Sequence, residues 1–93
     1  MRTKARVDSN QAEIVKALRK IGAKVQHLHT VGAGCPDLLV GYRRKNYLLE
    51  VKAKGGQLGL AQVEWAETWP GEVHTVRTPE EAVAAVIGKE AMK

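Results

Sequence analysis

Residues 37–42 and 46–53 form two apolar runs flanking the basic stretch Arg43-Arg44-Lys45-Asn46. Each run is too short for a helix and rich in Leu, Val and Tyr, so the pair predicts a β-hairpin with a basic tip. Apolar residues fall on both faces of each run, so the strands belong at the centre of a sheet that is covered on both sides. Glu50 interrupts Tyr47-Leu48-Leu49 and Val51 in the second run. A carboxylate in such a strand is costly without a partner, so this residue needs an explanation.

The flanking sequence supplies the cover. Asp8 or Ser9 is placed to cap a helix whose apolar positions Ile14, Val15, Leu18 and Ile21 follow the 3.6-residue period, and Gly22 is suited to end it. Residues 23–31 alternate, with Val25, His27, His29 and Val31 on one face, which predicts a strand broken by Gly32-Ala33-Gly34-Cys35-Pro36. After Gly55-Gly56, residues 58–69 read as a helix stopped by Pro70-Gly71, followed by a strand at Val73–Arg77. Thr78 as cap, Pro79 in the first turn and Glu81 as the far side of a capping box open a last helix. The expected fold class is α/β, in the order α-β-β-β-α-β-α, with a central mixed sheet flanked by helices. With 93 residues there is room for a single domain over 1–93, with 1–7 a flexible basic arm and 88–93 a tail.

Fifteen Lys and Arg against ten Asp and Glu give a net charge of +5, unevenly spread. Residues 1–57 hold twelve of the basic and four of the acidic side chains, net +8, whereas 58–93 are net −3. Segregated positive charge points to a polyanion, with nucleic acid ahead of a membrane surface, because no basic amphipathic helix carries large apolar anchors. No run approaches the length of a membrane span, and the N-terminus lacks a signal-like apolar segment, so a cytoplasmic protein without a membrane partner is expected. The single Cys35 rules out an intrachain disulfide and a cysteine-based zinc cage.

On strand geometry Glu50 and Lys52 share a face, about 6.6 Å apart along the strand, with Val51 on the other. Asp37 opens the partner strand, so pairing of the hairpin brings its carboxylate toward Glu50 at the sheet end. Converging carboxylates repel unless a cation or proton relieves them. Oxygen ligands without cysteine favour a hard ion such as Mg²⁺ or Mn²⁺, which keeps water and phosphate oxygens as its other ligands. The matching chemistry is phosphodiester hydrolysis, with Lys52 orienting the water or offsetting charge on the phosphate. Taken singly, Asp37 is also an ordinary turn residue and Glu50–Lys52 an ordinary ion pair.

Pro36-Asp37 and Glu50-Val51-Lys52 resemble the motif of the PD-(D/E)XK nuclease superfamily. Gly34-Cys35-Pro36-Asp37 before a strand, Glu50-Val51-Lys52, and a Leu and Gln entering a helix look most like the small stand-alone VRR-NUC domains of phages and bacteria, over roughly residues 9–87. The resemblance implies a restriction-endonuclease-like core. Asp37, Glu50 and the Val51 backbone carbonyl would hold the metal, and Lys52 would assist the water. Glu13 in the first helix and Gln62 would complete the pocket, each with a plain surface role as its alternative. Leu58-Gly59-Leu60-Ala61 lacks the Ser or Thr often seen before that Gln. The implied activity is a Mg²⁺- or Mn²⁺-dependent, structure-specific DNA endonuclease, such as a Holliday-junction resolvase, in a bacterial or phage-infected cell. Recognition would be of branched or junction DNA by shape, without an organic cofactor. Symmetric cutting of two strands needs two sites, hence a homodimer.

Arg43, Arg44 and Lys45 at the tip, and Lys54 continuing the Lys52 face, are candidate phosphate contacts. His27 and His29 form a His-x-His pattern without an evident third ligand, and His74 is similar, so structural or surface roles are favoured over zinc. Trp65 and Trp69, at helical spacing, are read as core ahead of a base-stacking platform or a subunit interface. Cys35 as a nucleophile lacks a His partner in sequence. The alternatives to an enzyme are a non-catalytic DNA-binding module of the same fold, or a small interaction or toxin-antitoxin-type protein.

Overall fold

A computed structural model of the protein describes residues 10–88, and the hairpin is its centre. β2 (Leu38–Tyr42) and β3 (Lys45–Val51) pair antiparallel, in a register running from Leu38 opposite Leu49 to Tyr42 opposite Lys45. The connection is two residues, Arg43 and Arg44, at φ 51° and 70°. Both are left-handed, as a type I′ turn requires to match the strand twist. Glycine or asparagine fits such positions better, and each arginine there costs on the order of 1 kcal/mol.

β1 (Lys24–His27) lies antiparallel to β2, and β4 (Val73–Val76) runs parallel to β3. The parallel pair needs a crossover, which α2 (Leu60–Thr68) provides. The result is a four-stranded mixed open sheet in the order β1-β2-β3-β4. With α1 (Gln11–Lys20) and α3 (Pro79–Ile87), the order of elements is α-β-β-β-α-β-α, as the sequence pattern predicts.

The two sheet faces differ. On one, Val25, Leu38, Val40, Leu49, Val51 and Val76 are buried beneath Ile14, Val15 and Leu18 of α1 and Ala82 and Val86 of α3. The opposite face carries Leu39, Leu48 and Glu50 and is only half covered; α2 buries no residue completely. The Trp65 and Trp69 assignment to the core is therefore corrected. Trp65 lies on α2 and Trp69 is its C-cap residue, 44% exposed, and their rings stack on each other at 4.7 Å instead of entering the core under α1 and α3.

Helix ends follow the sequence in part. Gly22, at φ 97°, closes α1 with a Schellman pair, Gly22 N–H to Arg19 O and Ala23 N–H to Leu18 O. At the start, Asn10 is the cap position, and its side chain makes no capping bond. Asp8 and Ser9, the expected caps, lie outside the described residues, as do the arm at 1–7 and the tail after Gly88. Thr78 Oγ1 accepts from Glu81 N–H as predicted, but the Glu81 carboxylate accepts from Arg77 N–H rather than closing the box on Thr78.

The strand expected over 23–31 stops at His27. One further bond, Leu28 N–H to Asp37 O at 2.7 Å, is followed by a turn closed by Val31 N–H to Leu28 O. His29 and Val31 are thus exposed loop residues, and the loop through Gly34 folds back toward α2. β3 likewise ends at Val51, so Lys54 is an exposed turn residue and does not continue a strand face. No helix among the described residues is long and apolar enough to cross a membrane.

Candidate functional site

Carrying the hairpin register one step past Leu38–Leu49 sets Asp37 against Glu50, on the half-covered face. Glu50 is only 3% exposed and is the one acidic residue buried among the described residues. Its Oε2 accepts from Gln62 Nε2 at 2.7 Å and lies 3.8 Å from Lys52 Nζ. The cost of desolvating the carboxylate is offset locally by an amide donor and an ammonium group.

Gln62 is held by both ends of its amide. Its Oε1 accepts from Gly59 N–H at 2.7 Å, which satisfies one open donor of the α2 N-terminus and turns Nε2 toward Glu50. Gly59 has no side chain to return the bond, so this is half of a capping box. The missing Ser or Thr upstream does not displace the glutamine. Gly34 sets the same end of α2: at φ 84°, it packs so closely that an added Cβ would lie 2.2 Å from Ala61 O. Any other residue there would push the first turn of α2 away from Glu50.

Asp37 is used differently from the expectation that it simply faces Glu50. Its Oδ2 accepts from Val51 N–H at 2.8 Å, so the carboxylate continues the strand pairing where the β2 backbone turns away. Its main-chain oxygen takes Leu28 N–H. Asp37, Glu50, Lys52 and Gln62 therefore meet at one end of the sheet.

Glu13 is an exposed residue of the first turn of α1 and enters none of the hydrogen bonds or ion pairs of this group among the described residues. Its helix nevertheless starts at the same sheet end, because Asn10 Nδ2 donates to Lys52 O at 3.0 Å and Arg77 O at 2.7 Å. The polar residue that α1 does bury is Gln11, 2% exposed, with Nε2 3.4 Å from His27 Nδ1. Arg43, Arg44 and Lys45 are exposed at the far end of the hairpin, about 17 Å away at strand rise.

Cys35, beside Pro36-Asp37 in the chain, belongs to this neighbourhood. Burial, then the negative charges of Glu50 and Asp37, push its thiol above the ordinary value. A nucleophile needs the opposite shift, so the thiol is a protonated packing group at neutral pH. His27 and His29 contact edge to face at 6.1 Å, and no cluster of three His, Cys, Asp or Glu suited to a metal occurs among the described residues.

Two carboxylates on adjoining strand ends meet the minimum that Mg²⁺ takes from a protein. The donors are oxygens, one of which, Asp37 Oδ2, accepts from Val51 N–H. The residues fit a hard divalent ion whose remaining ligands are water and phosphate, and they do not fit a closed zinc site. Comparison of the chain with models of known families, with characterised proteins and with solved structures returned no match.

Proposed function

We propose that the protein is a metal-dependent endonuclease with a restriction-endonuclease-like fold of the VRR-NUC type, acting on branched DNA. The observation that carries this reading is the burial of Glu50 at one sheet end, grouped with Lys52, Gln62 and Asp37. Asp37, Glu50 and the Val51 carbonyl would hold a Mg²⁺ or Mn²⁺ ion, which when bound polarises the phosphate and lowers the pKa of its water. Gln62 fixes the Glu50 carboxylate, and Lys52 holds a positive charge beside it where a scissile phosphate would lie. Arg43, Arg44 and Lys45 would grip a duplex arm by its phosphates. Cutting two strands calls for two copies of the chain.

The deciding experiment incubates labelled linear, flap and four-way junction DNA with Mg²⁺ or Mn²⁺. Wild type is expected to cut the branched substrates, with Asp37→Ala and Lys52→Ala each slower by at least a hundredfold. Equal cleavage by all three proteins would remove the assignment of the site. One observation favours a second reading: Asp37 and Glu50 are both engaged by groups of the chain itself, which also suits a DNA-binding module whose acidic cluster is structural. Tight, salt-dependent DNA binding without cleavage under either metal would select it.

A further inference from the structure

The half-covered sheet face holds a groove of about 440 Å³ between β2, β3 and α2, with Leu39 and Leu48 as its floor and Trp65 and Trp69 as its wall. Neither tryptophan is buried, although together they are the only two in the chain. A tryptophan pair, Trp65 half-buried and Trp69 exposed, over an apolar floor marks a surface built to be covered. The charges around it identify the cover. Along the α2 side stand the exposed Glu67 and Glu72, which repel the phosphates of a nucleic acid. Glu72 lines the groove itself, and its carboxylate also lies 3.3 Å from His74 Nε2. Along the opposite side, the register Lys24–Gly41–Asn46 sets Lys24 on the same sheet face, on β1, with only Gly41 between it and the groove-lining Asn46. The chain thus carries acid on one flank of the groove and base on the other.

We propose that this groove is the interface of a homodimer, in which Trp65 and Trp69 of each copy are covered by the other and Lys24 of each copy faces Glu72 of the other. A two-fold axis along the strand direction brings opposite flanks together face to face, so one pair of charges is repeated twice. It also leaves both Glu50 ends at the same end of the pair. The proposal deepens the two-copy reading above and rests on it only for the number of copies. Its chemistry is independent of catalysis.

The test is sedimentation of the full chain over a concentration series, without DNA or metal, together with tryptophan emission. Wild type should dimerise, with emission shifting to the blue as dimer forms. Trp69→Glu, at an exposed position, should weaken association at least tenfold. Lys24→Glu and Glu72→Lys should each weaken it, and the double variant should recover it. A monomer across the series, or a dimer indifferent to Trp69→Glu and to both charge reversals, overturns the proposal. So does a monomer whose tryptophans are quenched by single-stranded DNA. Dimerisation with this pattern but without nuclease activity sustains the interface and removes only the enzymatic reading; cleavage by a strict monomer does the reverse.

Discussion

Gln62 shows how one side chain links local and tertiary structure. Its carbonyl end caps α2 at Gly59 and its amide end holds the buried Glu50. Gln62→Leu removes both bonds, leaving a helix N–H open and Glu50 with a weaker complement of donors. Bonds to a buried charged group contribute about 1.5–3 kcal/mol, so a loss of about 2 kcal/mol is expected. Urea unfolding should show a lower midpoint at unchanged slope, and an unchanged midpoint would mean that the bond contributes nothing net. Glu50 is legible as exceptional in the sequence because a carboxylate stands in an apolar run. Its partner on α2 is twelve residues away and becomes visible only when the crossover brings α2 over the half-covered face. Asn10 leaves no signal at all. Its role depends on Lys52 and Arg77 carbonyls that are remote in sequence.

Among the elements, α2 is held least by the core and most by specific contacts. It buries no residue fully, whereas α1 and α3 bury Ile14, Leu18, Ala82 and Val86. Its seat is the close approach of Gly34 to Ala61. Gly34→Ala adds a Cβ where there is no room and at a φ that L residues avoid, so about 2 kcal/mol or more of destabilisation is expected. Hydrogen exchange should localise the effect: amides of α2 should lose protection while those of α1 keep it. Equal loss in both helices would show that α2 is part of the cooperative core. The hairpin, Gly22 and Thr78 are readable because their signals lie within a few residues. The strand expected over 23–31 is longer than the real one because its alternation continues into residues that have no neighbouring strand to pair with.

Across the whole molecule, charge and apolar surface are arranged by the sheet. The basic hairpin tip stands at one end of the central strands β2 and β3 and the Asp37–Glu50 group at the other. If the tip grips phosphates, Arg43→Gln, Arg44→Gln and Lys45→Gln combined should flatten the plot of log affinity against log salt by about 0.9 for each phosphate that the tip no longer neutralises. Glu80→Gln, on α3 away from the tip, should leave the slope unchanged. A slope that is the same in wild type and in the triple variant would exclude the tip from the DNA interface.

The sequence by itself determined the order of elements, the central hairpin and the candidate group Asp37, Glu50 and Lys52, because strand period, turn residues and a misplaced carboxylate are local features. It could not determine which sheet face each helix covers. That choice is made by packing: α1 and α3 bury their apolar residues against one face, and α2 lies on the other without burying any residue fully. The tertiary structure therefore decided that Gln62 reaches Glu50, that Asp37 also supports the strand end, and that Trp65 and Trp69 line a groove instead of a core.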